Sequence, residues 1–267
     1  MCSLLFLATC GPLSAQAPPE GALPPLLQGV QFQPRLGAAV PLEVGFRDEH
    51  GRRVPLGEFF GAKPVIVAFV YYSCPMLCDQ VLRGLARSLR AVSLDSGEDY
   101  EVVAISFDPR DTEAAARAKR DDLGHGLPRK ARSGWHFLTS GEREIDALTQ
   151  SLGFRYSYDA ASRTFAHAGG ILVLTPHGTV SRYFPGIDYS SRDLRLALID
   201  ASNGKIGTVL DRLLLFCYEY DPATARYSAA VFRVVRSGGI LSVAGLAVLL
   251  LLLRRRDACR RMTPGEQ

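Results

Sequence analysis

Two cysteines with three residues between them stand in the stretch Tyr71-Tyr72-Ser73-Cys74-Pro75-Met76-Leu77-Cys78-Asp79-Gln80. Paired thiolates can close a disulfide or hold a soft metal such as Cu(I). The stretch follows the apolar run 64–70 and precedes the helical pattern Val81, Leu82, Leu85, Leu89. A buried strand is therefore expected to deliver both cysteines to the first turn of a helix, where the fixed φ of Pro75 fits. Cysteines at i and i+4 share a helix face, so their sulfurs can converge. The helix N-terminus predicts partly exposed thiols with pKa values lowered toward thiolate. Buried structural cysteines are the alternative, and pairing at a strand-to-helix turn argues against it.

A metal held by two thiolates invites a third ligand, and five histidines are available. His50 and His177 fall in turns, where a solvated polar residue is expected. His125 lies in a Gly/Pro-rich loop, and His136 alternates within Trp135-His136-Phe137 as a satisfied sheet residue. His167 differs: it stands in Phe165-Ala166-His167-Ala168-Gly169-Gly170, read as a loop just before a buried strand.

The elements that must position these groups alternate between strand and helix. Residues 44–54 read as a small hairpin around Asp48-Glu49-His50-Gly51. Strands are expected at 65–70, 100–107 and 135–138. Helices are expected at 76–94, 114–123 and 142–152, with Asp111, or else Thr112, capping the second. A hairpin of 171–175 with 180–184 and a helix over 192–202 complete a domain spanning 40–202. The pattern indicates an α/β domain with a central mixed sheet. In a thioredoxin-like topology the segment carrying His167 would face the start of the cysteine-bearing helix.

The ends read differently. Residues 1–17 carry a short apolar run and end in Ala15-Gln16-Ala17, as a secretory signal does. Acylation of Cys10 is a second reading of the same stretch. Residues 18–39, rich in Pro, Gly and Gln, read as a linker. After a juxtamembrane segment, 203–236, residues 237–253 form an uncharged run suited to a single transmembrane helix. Arg254-Arg255-Arg256 opens a basic tail, 254–267, which the positive-inside rule places in the cytoplasm. The formal net charge of +4 resides mostly in that tail, and no clustered basic face suggests nucleic acid. Six cysteines are too few and scattered for a disulfide-stapled scaffold. Cys2 and Cys10 fall in the leader and Cys259 in the tail, and Cys217 reads as a buried hydrophobe near the membrane.

On Cys74-Pro75-Met76-Leu77-Cys78, the segment Asp108-Pro109-Arg110-Asp111-Thr112 and His167, the chain resembles the Sco/SenC family of membrane-anchored, thioredoxin-like copper chaperones. The resemblance covers roughly 40–202. It implies copper, Cu(I) or Cu(II), held by Cys74, Cys78 and His167. It also implies a role in assembling the CuA site of cytochrome c oxidase, with the oxidase's copper-bearing subunit as recipient. Other copper chaperones or thioredoxin-like reductants are further partners of this reading. The expected location is the bacterial cytoplasmic membrane, with the main domain on the periplasmic side. Two departures stand out: Asp79 follows the second cysteine where the family often has Pro, and the anchor is C-terminal. A periplasmic thiol–disulfide oxidoreductase using Cys74 and Cys78 is the alternative function. Its usual spacing is two residues, with a Pro facing the dithiol, and Ala166-His167-Ala168 contains none. A peroxidase is weaker still, lacking an evident resolving cysteine.

Overall fold

The structure, a computed structural model, describes residues 29–74, 77–207, 220–221, 226–227, 239–240 and 242. Its centre is the six-residue strand β3 (Val65–Val70), in which every residue is buried. A continuous Val/Ile/Ala/Phe run has no polar face, so it is stable only in mid-sheet with both faces covered. β3 pairs in parallel with β4 (Glu101–Ser106), and β4 in parallel with β5 (Trp135–Leu138). On its other side β3 pairs antiparallel with β8 (Gly170–Leu174), and β8 with β9 (Val180–Pro185). The result is a five-stranded mixed sheet of order β5-β4-β3-β8-β9, the α/β arrangement expected.

Helix α1 (Leu77–Arg90) buries Val81, Leu82, Leu85 and Leu89, the stripe its sequence announces. It packs on β3 and on α4 (Ser191–Ser202). A Cβ at Gly84 would collide with the carbonyl oxygen of Ile187. Only glycine lets α1 lie so close to the chain leaving β9. Helices α2 (Glu113–Gly124) and α3 (Glu142–Ser151) follow β4 and β5. The hairpin of β1 (Gly45–Arg47) and β2 (Arg53–Pro55) forms where the Asp48 turn places it, with Asp48 Oδ1 accepting the N–H groups of His50 and Arg52.

Three features depart from the sequence-based expectation. A hairpin of β6 (Tyr156–Asp159) and β7 (Thr164–His167) occupies the stretch read as a loop. Thr112, whose Oγ1 accepts the Ala115 N–H at 3.3 Å, caps α2; Asp111 does not. Part of the segment read as a linker is docked: Gln33 N–H donates to Gly153 O at 2.7 Å, and Phe32 packs against Phe154 at 5.2 Å between ring centres. One aromatic side chain anchors a Pro/Gly-rich stretch that composition alone renders featureless.

Residues 1–28 lie outside the described residues, as do Cys2, Cys10, Cys217 and Cys259. So does the expected span 237–253, apart from 239–240 and 242. Among the described residues no helix is long and apolar enough to cross a membrane.

Candidate metal centre

Three elements converge beyond the end of β3. β3 ends at Val70, and the chain turns at once, the Cys74 N–H closing on the Tyr71 carbonyl at 3.1 Å. Cys74 therefore precedes α1, and Cys78 is that helix's second residue. The sulfurs converge at the helix start as expected. Cys78 N–H donates to Cys74 Sγ at 3.4 Å, and Tyr71 N–H donates to Cys78 Sγ at 3.3 Å.

The third element is β7, and His167 is its last residue. Its Nε2 lies 3.3 Å from Cys78 Sγ. Its Nδ1 lies 3.1 Å from the carbonyl oxygen of Ala168. That carbonyl can only accept, so Nδ1 carries a proton, and Nε2 is the ring nitrogen that faces the sulfur. Cys74 Sγ, Cys78 Sγ and an imidazole nitrogen lie within 4.8 Å of one another. Among the described residues this is the one group of three or more Cys, His, Asp or Glu side chains placed to share a metal ion. The other histidines stand elsewhere. His136 is bonded to Glu101 at 3.1 Å, and His50 lies beside Arg120 at 3.2 Å.

An aromatic wall closes the site. Around the His167 ring stand Phe107 at 5.0 Å, Tyr71 at 5.8 Å and Phe154 at 6.2 Å between ring centres. Phe165 packs edge-on to both Tyr71 and Phe107. Clefts of about 610 and 420 Å³ lie elsewhere on the surface, and neither is lined by Cys74, Cys78 or His167. Two buried sulfurs and a buried imidazole meet there, a donor set suited to a soft metal ion.

Burial overturns the expectation of partly exposed thiols, and of a lowered pKa at Cys78. Cys74 is 8% and Cys78 1% exposed. Burial pushes the Cys78 thiol far above its ordinary value, and the neighbouring Cys74 adds to this. The Tyr71 N–H and the Lys119 charge pull it down without prevailing. A helix N-terminus is worth at most about 2 kcal/mol, and removing a charge from water costs more. The Tyr71 phenol is likewise raised, by burial first and then by the sulfur of Cys74.

Charged groups brace the periphery. Asp79 Oδ1 receives Lys119 Nζ at 2.6 Å, tying α1 to α2 one residue beyond Cys78. The buried Asp108 carboxylate holds Arg110 through two bonds of 2.8 Å, and Arg110 lies over the Tyr158 ring at 4.8 Å. Asp111 accepts the Tyr72 N–H and the Ser106 hydroxyl, both at 2.6 Å.

A sequence model of the SCO1/SenC family matches residues 42–198. Among solved structures, a putative electron transfer protein from Aquifex aeolicus VF5 is similar at a TM-score of 0.57 and 24% identity, over 64% of this chain and 96% of that one. Arabidopsis thaliana ScoI with copper bound is similar at a TM-score of 0.50 and 20% identity, over 64% and 99%. BsSco, described as a member of the Sco family of cytochrome c oxidase assembly proteins with a disulfide switch, is similar at 0.51 and 17%, over 66% and 99%. At these identities the likeness is one of fold. No curated protein matches the chain.

Proposed function

This chain belongs to the SCO1/SenC family, and we propose that it is a copper metallochaperone whose cargo is held by Cys74, Cys78 and His167. The observation that carries the reading is the meeting of two sulfurs and an imidazole nitrogen within 4.8 Å in a buried pocket. Two thiolates favour Cu(I), and adding imidazole suits Cu(II) as well, so one site can serve both oxidation states. Arabidopsis ScoI, which shares the fold, has copper bound.

The residues divide the work. Cys78 gives up its thiol proton when it binds, against burial, which favours the protonated thiol. The Tyr71 N–H then faces a sulfur that carries charge, a charge-assisted bond that stabilises the thiolate. His167 presents Nε2 with its ring fixed through Nδ1. Phe107, Phe154 and Tyr71 exclude water from the ligands.

The recipient in this reading is the copper-bearing subunit of cytochrome c oxidase, and the product is its CuA site. The domain, 40–202, works on the outer side of the bacterial cytoplasmic membrane. It follows a signal segment, 1–17, and a linker, 18–39. It is anchored by a single span, 237–253, that lies beyond a juxtamembrane segment and before a basic cytoplasmic tail. Thioredoxin-like reductants and other copper chaperones are its further partners.

A second reading, thiol–disulfide oxidoreductase, is favoured by the closeness of the two sulfurs. Two thiols at this separation can give two protons and two electrons to an oxidant and close a bond of about 2.05 Å after modest rotation. The deciding experiment is complementation of a strain lacking the protein, at limiting copper, with CuA content of the isolated oxidase as readout. Cys74→Ser and Cys78→Ser should each abolish CuA loading, and normal loading by either would refute the proposal.

A further inference from the structure

We propose that Asp111, in the loop between β4 and α2, is a positioning residue for the copper site: its carboxylate fixes the Tyr72 amide and so the loop that carries Cys74. The inference rests on the copper reading above and deepens it. The bonding between β3 and β4 runs out at the loop. The register ends with Val70 opposite Ser106, and the last ladder bond is from Phe107 N–H to Val70 O at 2.9 Å. Beyond that point no strand receives the amides of the buried residues Tyr71 and Tyr72.

Three amides around the turn have acceptors of their own. Tyr71 N–H donates to Cys78 Sγ, Tyr72 N–H to Asp111 Oδ2, and Cys74 N–H to Tyr71 O. Asp111 thus continues the sheet's hydrogen bonding past its edge with a side chain. The same Oδ2 accepts the Ser106 hydroxyl at 2.6 Å, and Ser106 Oγ in turn accepts the Asp108 N–H at 3.2 Å. The carboxylate is itself held in place.

Tyr72 transmits this constraint because its other end is also pinned. Its hydroxyl lies 3.0 Å from the Ala104 carbonyl oxygen and 2.8 Å from that of Leu138. The phenol sets where Tyr72 sits, and Asp111 sets which way its amide points. The adjoining amide of Tyr71 is the one aimed at the Cys78 sulfur, and Cys74 follows two residues later. Rotation of the backbone at Tyr72 would turn the Tyr71 N–H away from that sulfur and displace Cys74 from His167.

The test compares Asp111→Ala, Asp111→Asn and Ser106→Ala in the full-length chain. Cu(I) affinity is measured by competition with bicinchoninate, and the dithiol–disulfide equilibrium against glutathione, alongside thermal unfolding. Asp111→Ala should weaken Cu(I) binding by about tenfold or more, as loss of an outer partner of a metal ligand does, and should shift the thiol equilibrium. Asp111→Asn should restore both, because its carboxamide oxygen accepts the same two bonds without the charge. If Asn fails as Ala does, charge rather than amide positioning is at work and the inference falls. If Ala lowers only the unfolding temperature, the role is structural and the inference falls equally. Should Asp111→Ala not fold, Ser106→Ala, which frees the carboxylate from one side, must still weaken Cu(I) binding. A wild-type chain that bound no copper would defeat the copper reading, while the thiol equilibrium of the variants would still decide the role of Asp111.

Discussion

Replacing His167 by alanine separates the two functions that a close dithiol could serve. Its Nε2 stands 3.3 Å from Cys78 Sγ, and the residue is 8% exposed within the aromatic wall. Removing a large side chain from such a site costs about 2–5 kcal/mol, against a typical stability of roughly 5–15 kcal/mol. The variant should therefore fold with a lowered Tm, and His167→Gln serves as a control that keeps more of the volume. Cu(I) keeps both thiolates, which suffice for near-linear coordination. Cu(II) loses its imidazole and is left with soft ligands alone. Removing an outer partner already costs 10–100-fold, so losing a direct ligand should weaken Cu(II) binding by about a hundredfold or more. That corresponds to about 2.7 kcal/mol at 1.36 kcal/mol per decade. The assay is titration with each oxidation state, following the Cu(II)–thiolate absorption band, with dithiol redox activity measured on the same samples. The expected result is lost Cu(II) binding, retained dithiol activity and failure to support oxidase assembly. An intact band with full complementation would show that His167 only fills space, and would move the oxidoreductase reading to first place.

Oxidised without copper, the chain should form an intramolecular Cys74–Cys78 disulfide. Mass spectrometry after alkylation should find both cysteines blocked, and free labelling of both would refute their convergence. A cytoplasm-dependent reporter fused after Gln267 should be active, and activity of an export-dependent reporter there would invert the proposed topology. Acid should destabilise the domain partly through Glu101. Burial opposes its ionisation, but bonds from His136 and Lys63 outweigh this and hold its carboxyl below its ordinary 4.5. Its contribution is complete above that value and disappears as pH falls through the lower folded value. Glu101→Gln should flatten that part of the Tm–pH curve, and an unchanged slope would exclude Glu101 as a source.

The strand that aims the site was legible because six consecutive apolar residues, Val65–Val70, admit little but a doubly covered strand. The helix after it was legible from its stripe, and the three ligand candidates from their chemistry. The setting of those ligands was harder to read. His167 was recognised, but not the hairpin that carries it. The alternation of Tyr156, Tyr158, Phe165 and His167 around the turn Asp159-Ala160-Ala161-Ser162-Arg163 was the available signal. Thiol burial stood in the sequence only as the alternative reading, because His167, which meets Cys78, and the rings of Phe107 and Phe154 around it come from elements far along the chain. The same limit applies to Asp111. From sequence, Asp111 reads as a helix cap or as a hydrogen-bonding group near the site, the cap being favoured, and only the packing of two loops reveals its hold on Tyr72.

The most direct test of the central claim is the metal content and coordination of the full-length chain, purified under reducing conditions and loaded with copper. One copper per chain is expected. X-ray absorption of the Cu(II) form should show two sulfur ligands and one imidazole nitrogen, and each of Cys74→Ser, Cys78→Ser and His167→Ala should remove its own ligand from that set. A chain that binds no copper at this site, or one whose copper coordination is unchanged by all three substitutions, would contradict the account.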